Sequence, residues 1–293
     1  VPVLLDLDDV DWLTLEAQLA AEPWPGLGGR IGMQAATSAV RRATGEALPK
    51  FAGGFVACGE DAGAVATAGL QADVLPNIPV DGDALTAGRV ETPAPLPPLP
   101  DEVPRKVLFV GDLRHGPNQD GLARFLREGW PVVRAGKANV KLQIIGRGLD
   151  EIDASTRADW SGTPGVEVTG FVDDLRTAYA GAAMTIAPTW WGGGTKIKVV
   201  ESAAMGRFCL ATGQACRGYG ALTEGASPPV QVVSTAEAMG RTILRKFEKT
   251  DELRSAALAG PKQVQQYFSF SAVRDVLRSA LTRVLSEDRL PAV

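Results

Sequence analysis

The segment MTIAPTWWGGGTKIKVVESAAMG, residues 184–206, joins a short apolar run to an amphipathic run through three consecutive glycines. Met184–Pro188 has the length and the unbroken apolar character of a buried strand, and Thr195–Met205 has the spacing of a helix. A buried strand that turns through glycines into a helix is the repeating unit of a parallel α/β sheet. This segment therefore predicts the fold class.

The same alternation continues on both sides of the segment. The further predicted strands are Lys106–Gly111, Val140–Gly146, Val166–Gly170, Arg207–Thr212 and Val230–Ser234. The further predicted helices are Asn118–Arg134, Asp150–Trp160, Asp173–Ala182 and Ala236–Lys246. Continuous apolar strands between amphipathic helices predict a doubly wound, Rossmann-like α/β sheet with helices on both faces. Ligands of such sheets bind beyond the carboxyl ends of the strands, so the residues that follow each strand are the candidates for a site.

A Pro-rich stretch divides the chain. Residues 93–104 predict an extended linker, because prolines alternate there with leucines. Residues 105–262 hold the regular alternation, and residues 263–293 include an amphipathic helix at Ser271–Leu285. Residues 1–92 contain a predicted strand, Val1–Asp6, and a predicted helix, Ile31–Leu48. They are short for a second doubly wound domain and begin with that strand instead of a methionine. We therefore expect this N-terminal domain to be incomplete.

The composition limits the class of protein. The 293 residues are 45% hydrophobic and 22% charged, with a formal net charge of −4, which is typical of a soluble globular protein. The sequence has no basic cluster of the kind that binds nucleic acid and no apolar run long enough to span a bilayer. Three cysteines, far apart, favour a cytoplasmic location over a disulfide framework. His115 is the only histidine, so a His-rich metal site is excluded and no metal is expected.

The start of the helix after the glycines predicts an anion site. Lys196 and Lys198 lie in its first turn, where the helix dipole disfavours cations unless an anion is bound. We predict a diphosphate site formed by Gly192–Gly194, the expected N-cap Thr195 and Lys198. Glu201 shares a helix face with Lys198 and is predicted to accept hydrogen bonds from a ribose. The alternative is a flexible glycine loop beside an ordinary exposed ion pair of Lys198 and Glu201.

The second part of the chain resembles the donor-binding domain of GT-B glycosyltransferases of family four (group 1), in a subgroup where a Gly-rich stretch precedes Lys-x-x-Glu. The matching segments follow the family order. They are VLFVGDLRHGPN (107–118), LQIIG (142–146), VTGFV (168–172) with Asp174, the Gly-rich stretch that ends in KVVESAAMG (198–206), and YFSFS (267–271).

This resemblance implies two doubly wound domains that face a cleft, with residues 1–92 on the acceptor side and the helix of residues 263–293 packing back on them. It implies transfer of a sugar from a nucleoside-diphosphate sugar to a hydroxyl of a glycan, lipid or small-molecule acceptor, without a metal. A nucleic-acid partner is not expected. Peripheral association with the inner face of a membrane is left open.

The resemblance also implies roles for residues near the predicted anion site. Glu201 matches the glutamate that contacts the donor ribose, and Phe171 and Val172 match a loop that holds the nucleobase. Lys198 would stabilise the leaving diphosphate and so act in catalysis. The first glutamate of the family's Glu-x7-Glu motif falls on Gly193, so the usual contact to the transferred sugar is missing. The sugar and the stereochemical outcome are therefore left open.

The loop after the first strand of the second part is implied to face the donor phosphates and sugar. Its residues are Gly111, Arg114 and Asn118, and Gly146 follows the next strand. Arg114 is expected to help Lys198 in replacing positive charge that the family usually carries in this loop. His115, in the same loop, is either functional or incidental.

Three other functions fit parts of the sequence. Asp6 and Asp8 match the Asp-x-Asp opening of haloacid-dehalogenase-type phosphotransferases, although the rest of that machinery is not evident in order. Gly146 and Gly148 follow a strand but lack the third glycine of a dinucleotide fingerprint. The glycine at position 193 is also compatible with a catalytically inactive nucleotide-binding partner of an active transferase.

Two local features have competing interpretations. Residues 26–29, Gly-Leu-Gly-Gly, follow prolines and are predicted to form a mobile loop. Trp190 and Trp191 form either a stacking surface for a sugar or a lid over the sheet edge.

Overall fold

The computed structural model describes residues 2–21 and 27–286. The strands are, in chain order, β1 (Leu4–Leu7), β2 (Gly53–Val56), β3 (Ala72–Val74), β4 (Lys106–Val110), β5 (Lys141–Ile145), β6 (Val166–Gly170), β7 (Met184–Ala187), β8 (Phe208–Ala211) and β9 (Val230–Val232). The helices are α1 (Asp11–Ala20), α2 (Leu27–Ala47), α3 (Gly59–Thr67), α4 (Gly82–Thr86), α5 (Gly116–Arg124), α6 (Trp130–Gly136), α7 (Ala154–Gly162), α8 (Leu175–Ala180), α9 (Ile197–Ala204), α10 (Ala236–Glu248), α11 (Thr250–Tyr267) and α12 (Phe270–Ser286).

The chain forms two compact units. The first comprises Val1–Asn77, Trp191–Thr195 and Phe270–Val293, and the second comprises Ile78–Trp190 and Lys196–Ser269. The boundary between the first and second units thus falls after residue 77, earlier than the predicted linker.

The first unit contains a three-stranded parallel sheet in the order β1-β2-β3. Its core packs Val10, Leu48, Val56, Val65 and Leu70 together. The last helix, α12, packs in this unit beside β3, and Arg283 of α12 pairs with Asp73 of β3. The C-terminal helix therefore belongs to the same unit as the first strands.

The second unit contains a six-stranded parallel sheet in the order β6-β5-β4-β7-β8-β9. In chain order the strands run outward from β4 to β6 on one side, and from β7 to β9 on the other. This is the doubly wound arrangement, and the predicted α/β fold class is confirmed. The order reverses between β4 and β7, which are direct neighbours in the sheet. A ligand crevice is expected at the carboxyl ends of these two strands.

The Pro-rich segment has no regular secondary structure, yet it packs against the second unit. Leu99 is 5% exposed and Val103 is buried in the same core as β4 and β5. Arg254 donates to the carbonyl oxygens of Pro100 and Asp101, at 3.1 and 2.7 Å. Leu99 and Val103, which composition alone assigns to a linker, are therefore core residues, and residues 93–104 form a strap on the second unit.

Several predicted boundaries in the first part are wrong. The predicted strand Val1–Asp6 is β1, which ends at Leu7 and so contains Asp6; Val1 lies outside the described residues. The predicted helix Ile31–Leu48 begins at Leu27, so Gly28 and Gly29 are helical and not part of a loop, while Gly26 lies outside the described residues. Helical packing and length outweigh the weak helix propensity of these glycines.

Within the described ranges, no helix is both long enough and apolar enough to cross a bilayer.

Candidate functional site

Because β4 and β7 are adjacent in the sheet, the N-termini of the two helices that follow them both lie at the carboxyl end of the sheet. The loop after β4 leads into α5, and α9 follows the loop after β7. A Cβ atom on Gly121 of α5 would lie 1.8 Å from the carbonyl oxygen of Pro188, which directly follows β7. Only glycine permits this approach, and α5 therefore sits tightly on the end of β7.

Helix α9 begins at Ile197, and its N-cap is Lys196. The prediction that Thr195 caps this helix is wrong: Thr195 lies one residue before the cap, and its hydroxyl accepts a hydrogen bond from Asn77 at 3.0 Å. A lysine side chain has no acceptor for the free amides of the first turn, and that turn carries no acidic residue. The start of α9 therefore keeps the amide groups and the dipole that attract an anion.

Lys198 is buried at this helix start. The residue is 8% exposed, its Nζ donates to Oδ1 of Asn118 at 2.7 Å, and Nζ lies 4.2 Å from the centre of the Phe109 ring. Burial, together with a smaller effect of the neighbouring charge of Lys196, lowers the pKa of Lys198 to about 7. The interpretation of Lys198 and Glu201 as an ordinary exposed ion pair is therefore wrong.

Glu201 lies one turn further along α9 and is partly buried. Burial raises the pKa of its carboxyl group, and the charge of Lys198 opposes that shift. A carboxylate of this kind gains from neutral hydroxyl donors, because they satisfy it without adding charge. Its predicted contact with a ribose stays a prediction.

Gly111 and Gly146 make room for this arrangement. A Cβ atom on Gly111 would lie 2.8 Å from Nζ of Lys198 and 3.0 Å from Nδ2 of Asn118. A Cβ atom on Gly146 would lie 1.7 Å from the carbonyl oxygen of Gly111. Both positions thus need glycine because of the site's own packing.

His115 adds a third basic group. It is the N-cap of α5. Partial desolvation lowers the pKa of its imidazole, and the charges of Lys196 and Lys198 act in the same direction. Lys196 is itself buried. Positive charge is therefore concentrated where α5 and α9 begin, and a bound anion would relieve the mutual repulsion.

Arg114 is held by carboxylates. Its guanidinium makes two hydrogen bonds to Asp112, at 3.0 and 2.7 Å, and two to Glu151, at 3.2 and 3.4 Å. The hydrogen bond from Arg114 lowers the pKa of Asp112 to about 2. Two acidic partners offset the charge of Arg114, so Lys198 is the stronger candidate for a ligand anion. The predicted catalytic help from Arg114 stays a prediction.

Phe171 and Val172 follow β6 at the same edge of the sheet. The ring of Phe171 is 65% exposed, whereas Val172 packs against the buried cluster that contains Ile145 and Tyr179. Phe171 thus presents its aromatic face to solvent, whereas Val172 faces the protein. Such a face suits stacking on a nucleobase.

The glycine-rich loop belongs to the first unit and is buried there. A Cβ atom on Gly193 would lie 1.7 Å from Oγ1 of Thr14, and one on Gly194, whose φ is +57°, would lie 2.4 Å from Oδ1 of Asp9. This packing explains why no larger side chain stands at position 193, and the interpretation as a flexible loop is wrong. The predicted role of Gly192–Gly194 in binding a diphosphate stays a prediction.

Trp190 is tied into the second unit. Its indole N–H donates to the carbonyl oxygen of Ser234 at 3.1 Å, and the guanidinium of Arg124 lies 4.6 Å from the centre of its ring. Both contacts favour a structural role for Trp190 over a sugar-stacking one.

The alternative that uses Asp6 and Asp8 gains no support from the first unit. Asp6 lies inside β1, in register with Phe55, while Asp8 accepts a hydrogen bond from Asn77 at 2.6 Å. Only Asp8 of the two thus follows the strand end. Across residues 2–21 and 27–286, no three His, Cys, Asp or Glu side chains gather as a metal site.

Two features of the site are absent from the sequence predictions. Thr185 and Ser202 share a buried hydrogen bond of 2.7 Å that joins β7 to α9. Thr189, just after β7, is fully buried, and its hydroxyl lacks a hydrogen-bond partner among the described residues. In the sequence, the only indication of these two features is that Thr185, Thr189 and Ser202 are polar residues within largely apolar runs.

The doubly wound sheet of the second unit matches the α/β fold of solved GT-B glycosyltransferases. TarM of S. aureus superposes with a TM-score of 0.66 at 14% identity over 85% of this chain. Sucrose-phosphate synthase from Thermosynechococcus elongatus gives 0.64 at 15% identity over 96%. Anabaena HepE in complex with UDP and glucose gives 0.66 at 12% identity over 96%. At these identities the likeness shows the fold.

The sequence supplies the finer comparison. Residues 104–246, just under half of the chain, match the family described as Glycosyl transferases group 1, in agreement with the resemblance noted above. The matched segment contains β4, α5, β7 and α9, and with them Asn118 and Lys198. No curated protein matches the sequence. The chain spans 46% of TarM, 67% of the synthase and 72% of HepE.

Proposed function

We propose that this chain is the donor-binding part of a glycosyltransferase that moves a sugar from a nucleoside-diphosphate sugar to a hydroxyl of a glycan, lipid or small-molecule acceptor. The observation that carries the proposal is the buried Lys198 at the start of α9, beside the switch point of a doubly wound sheet. A buried cation without a carboxylate at hydrogen-bond distance is costly unless it serves a ligand anion. The group 1 match over residues 104–246 supports the same function.

The chemistry requires stabilisation of the leaving group. The bond between the sugar's anomeric carbon and the diphosphate oxygen breaks, and its electron pair stays on the diphosphate. The acceptor oxygen bonds to the anomeric carbon and loses its proton. Lys198 and the free amides of α9 lie where the new negative charge would collect, and preorganised donors of this kind stabilise the transition state more than the ground state. The proposed mechanism needs no divalent metal.

The other predicted residues have supporting roles in this proposal. Glu201 would accept hydrogen bonds from the ribose, and the exposed ring of Phe171 would stack on the base. His115 would face the phosphates from α5, where the bound anion would raise its lowered pKa. UDP is the first nucleotide to test, because HepE, which shares the fold, was solved with UDP and glucose.

Calorimetry with UDP, GDP, ADP and TDP tests the site. We expect one of these nucleotides to bind, and Lys198→Met to weaken it by about tenfold or more, since a charge-assisted hydrogen bond contributes roughly 1.5–3 kcal/mol. The matched control is Lys262→Met, which removes an exposed lysine of α11 and should bind like the parent. Binding by none of the four, or unchanged binding by Lys198→Met, would contradict the proposal.

Turnover separates an enzyme from an inactive partner. We expect the nucleotide sugar of the bound nucleotide to be consumed in the presence of acceptors, at a rate that excess EDTA leaves unchanged. Loss of the rate with EDTA would overturn the metal-free mechanism. Tight binding without consumption of the donor, over a panel of glycan and lipid acceptors, would favour the inactive partner.

A further inference from the structure

Both ends of the Asn118 side-chain amide are hydrogen-bonded within the protein. It lies in the first turn of α5 and is buried. Its Oδ1 accepts from Nζ of Lys198 at 2.7 Å, and its Nδ2 donates to the carbonyl oxygen of Asp112 at 2.8 Å. The reverse orientation of the amide would set its NH₂ group against an ammonium and its oxygen against a carbonyl. The neighbours therefore determine which way the amide points.

The backbone of Asn118 is anchored as well. Its amide N–H donates to the carbonyl oxygen of His115 at 2.8 Å. Through these three bonds Asn118 connects the loop after β4 with a lysine that lies 80 residues later in the chain. These contacts engage one lone pair of Oδ1 and one N–H of Nδ2, and the residue is only 6% exposed, so a ligand has little access to the rest of the amide.

We propose that Asn118 is a positioning residue that holds the Lys198 ammonium at the carboxyl end of β4 and does not itself contact the ligand. The ring of Phe109 and the missing side chain of Gly111 complete the seat of Nζ, and neither offers a hydrogen-bond acceptor in place of the amide. The nature of the ligand rests on the function proposed above, whereas the contact between Asn118 and Lys198 exists without a ligand.

Because Asn118 is neutral, it accepts a hydrogen bond from the Lys198 ammonium without cancelling the charge of that group. Lys196, at the N-cap of α9, disfavours the ammonium, while Glu201 of α9 favours it weakly. Cys209 of β8 also faces it, but burial raises the pKa of that thiol to about 12, so Cys209 is neutral where Lys198 titrates. His115 faces it from α5. A carboxylate in place of the Asn118 amide would be the nearest charge to Nζ and would neutralise the cation offered to a ligand.

Titration of Lys198 without nucleotide tests the proposal directly. The side-chain ¹³C signals of the lysine-labelled full chain report each ammonium, and Lys198→Met identifies the signal. We expect Asn118→Asp to raise the midpoint of Lys198 by about one pH unit or more, since a new opposite charge acts at contact distance. Asn118→Ala should lower the midpoint, because the buried ammonium loses its acceptor. Asn139→Asp, an exposed change of the same kind, is the control and should leave it unchanged.

Nucleotide binding supplies a second readout. With Asn118→Ala, we expect UDP to bind about tenfold more weakly than to the parent near pH 8 and almost equally near pH 5, where Lys198 is largely protonated in both. A direct contact from Asn118 to the ligand would instead weaken binding by the same factor at each pH. That result, or an unchanged Lys198 midpoint in Asn118→Ala, overturns the proposal. If the parent binds no nucleotide, the donor site is wrong, but the titration still decides the role of Asn118.

Discussion

Lys198 shows how a single residue can oppose the stability of the fold it belongs to. Its amine is buried against Phe109 and Asn118, and burial holds its pKa far below the usual value of 10.5. Burying an amine that water would charge costs free energy in the ligand-free protein. Proteins commonly retain such a cost where a ligand recovers it, and strongly shifted groups in a crevice are candidates for function on that ground.

The cost predicts a pH dependence of stability. The folded pKa of Lys198 is about 7 and the unfolded value is 10.5, so the unfolded chain binds more protons between these values. Stability linked to Lys198 therefore rises with pH from about 7 to about 10.5. In Lys198→Met this rise is absent. The free energy of unfolding of the variant, relative to that of the parent, should therefore be highest near neutral pH and fall toward alkaline pH.

Urea unfolding of the parent and Lys198→Met across this range measures the difference. Lys262→Met should follow the parent at every pH, because its ammonium is exposed. A constant difference between the parent and Lys198→Met would mean that Lys198 titrates normally in the folded protein.

At the scale of the element, α9 is positioned by contacts on the face that turns toward the sheet. Ser202, one turn after Lys198, shares a hydrogen bond of 2.7 Å with Thr185 of β7 and donates to the carbonyl oxygen of Arg207 at 3.0 Å. Residues four apart lie on the same helix face, so the bonds of Ser202 also determine the height of Lys198 above the sheet. Helix α5 is positioned in a similar way by the close packing of Gly121 against the backbone of Pro188.

Ser202→Ala should lower the free energy of unfolding by about 1–3 kcal/mol, because it leaves buried polar groups of Thr185 and Arg207 without a partner. Nucleotide binding should weaken in parallel as α9 loosens. Ser161→Ala, an exposed change near the end of α7, should stay within about 0.5 kcal/mol of the parent. Equal stability of the two variants in urea titrations would show that the Ser202 network contributes little.

Gly121→Ala should be strongly destabilising. Its Cβ atom would lie 1.8 Å from the carbonyl oxygen of Pro188, so α5 must move away from β7. We expect a loss of more than about 2 kcal/mol in unfolding free energy. Gly63→Ala in α3 is the control: it meets no atom within 4 Å and should stabilise by a few tenths of a kcal/mol to about 1 kcal/mol. A mild effect at Gly121 would contradict the tight seat of α5.

At the scale of the whole molecule, the second unit includes an irregular segment, residues 93–104, in addition to its strands and helices. The strap at 93–104 supplies Leu99 and Val103 to the core, and arginines from separate parts of the unit bind its carbonyl groups. Proline-rich backbone has few amide donors but keeps all its carbonyl acceptors, which guanidinium groups can satisfy. Buried side chains and arginine-to-carbonyl hydrogen bonds thus fix the strap to the second unit, and a free linker would have neither.

Leu99→Ala should destabilise the second unit by about 2–3 kcal/mol, at the lower end of the usual range for a buried leucine, since an irregular segment can relax into the cavity. Leu85→Ala, an exposed leucine of the same unit, should have an effect below about 0.5 kcal/mol. Protease cleavage after residue 92 in Leu99→Ala but not in the parent would locate the loss to the strap. Equal behaviour of the two variants would mean that the strap carries no stability.

Hydrophobic spacing along the sequence was sufficient to predict the six strands of the second unit and to direct attention to residues 188–201, because strand and helix periods depend on residues that are close in the chain. It also predicted most of the helices of this unit, but not α4 and α11. The cap of α9, the contact between Asn118 and Lys198, the need for glycine at 193 and the packing of the strap were decided by tertiary structure alone. Each of these depends on which strands become neighbours, and in the case of Asn118 and Lys198 the partners are 80 residues apart. Strand order follows from the packing of the entire sheet, and no local pattern encodes it.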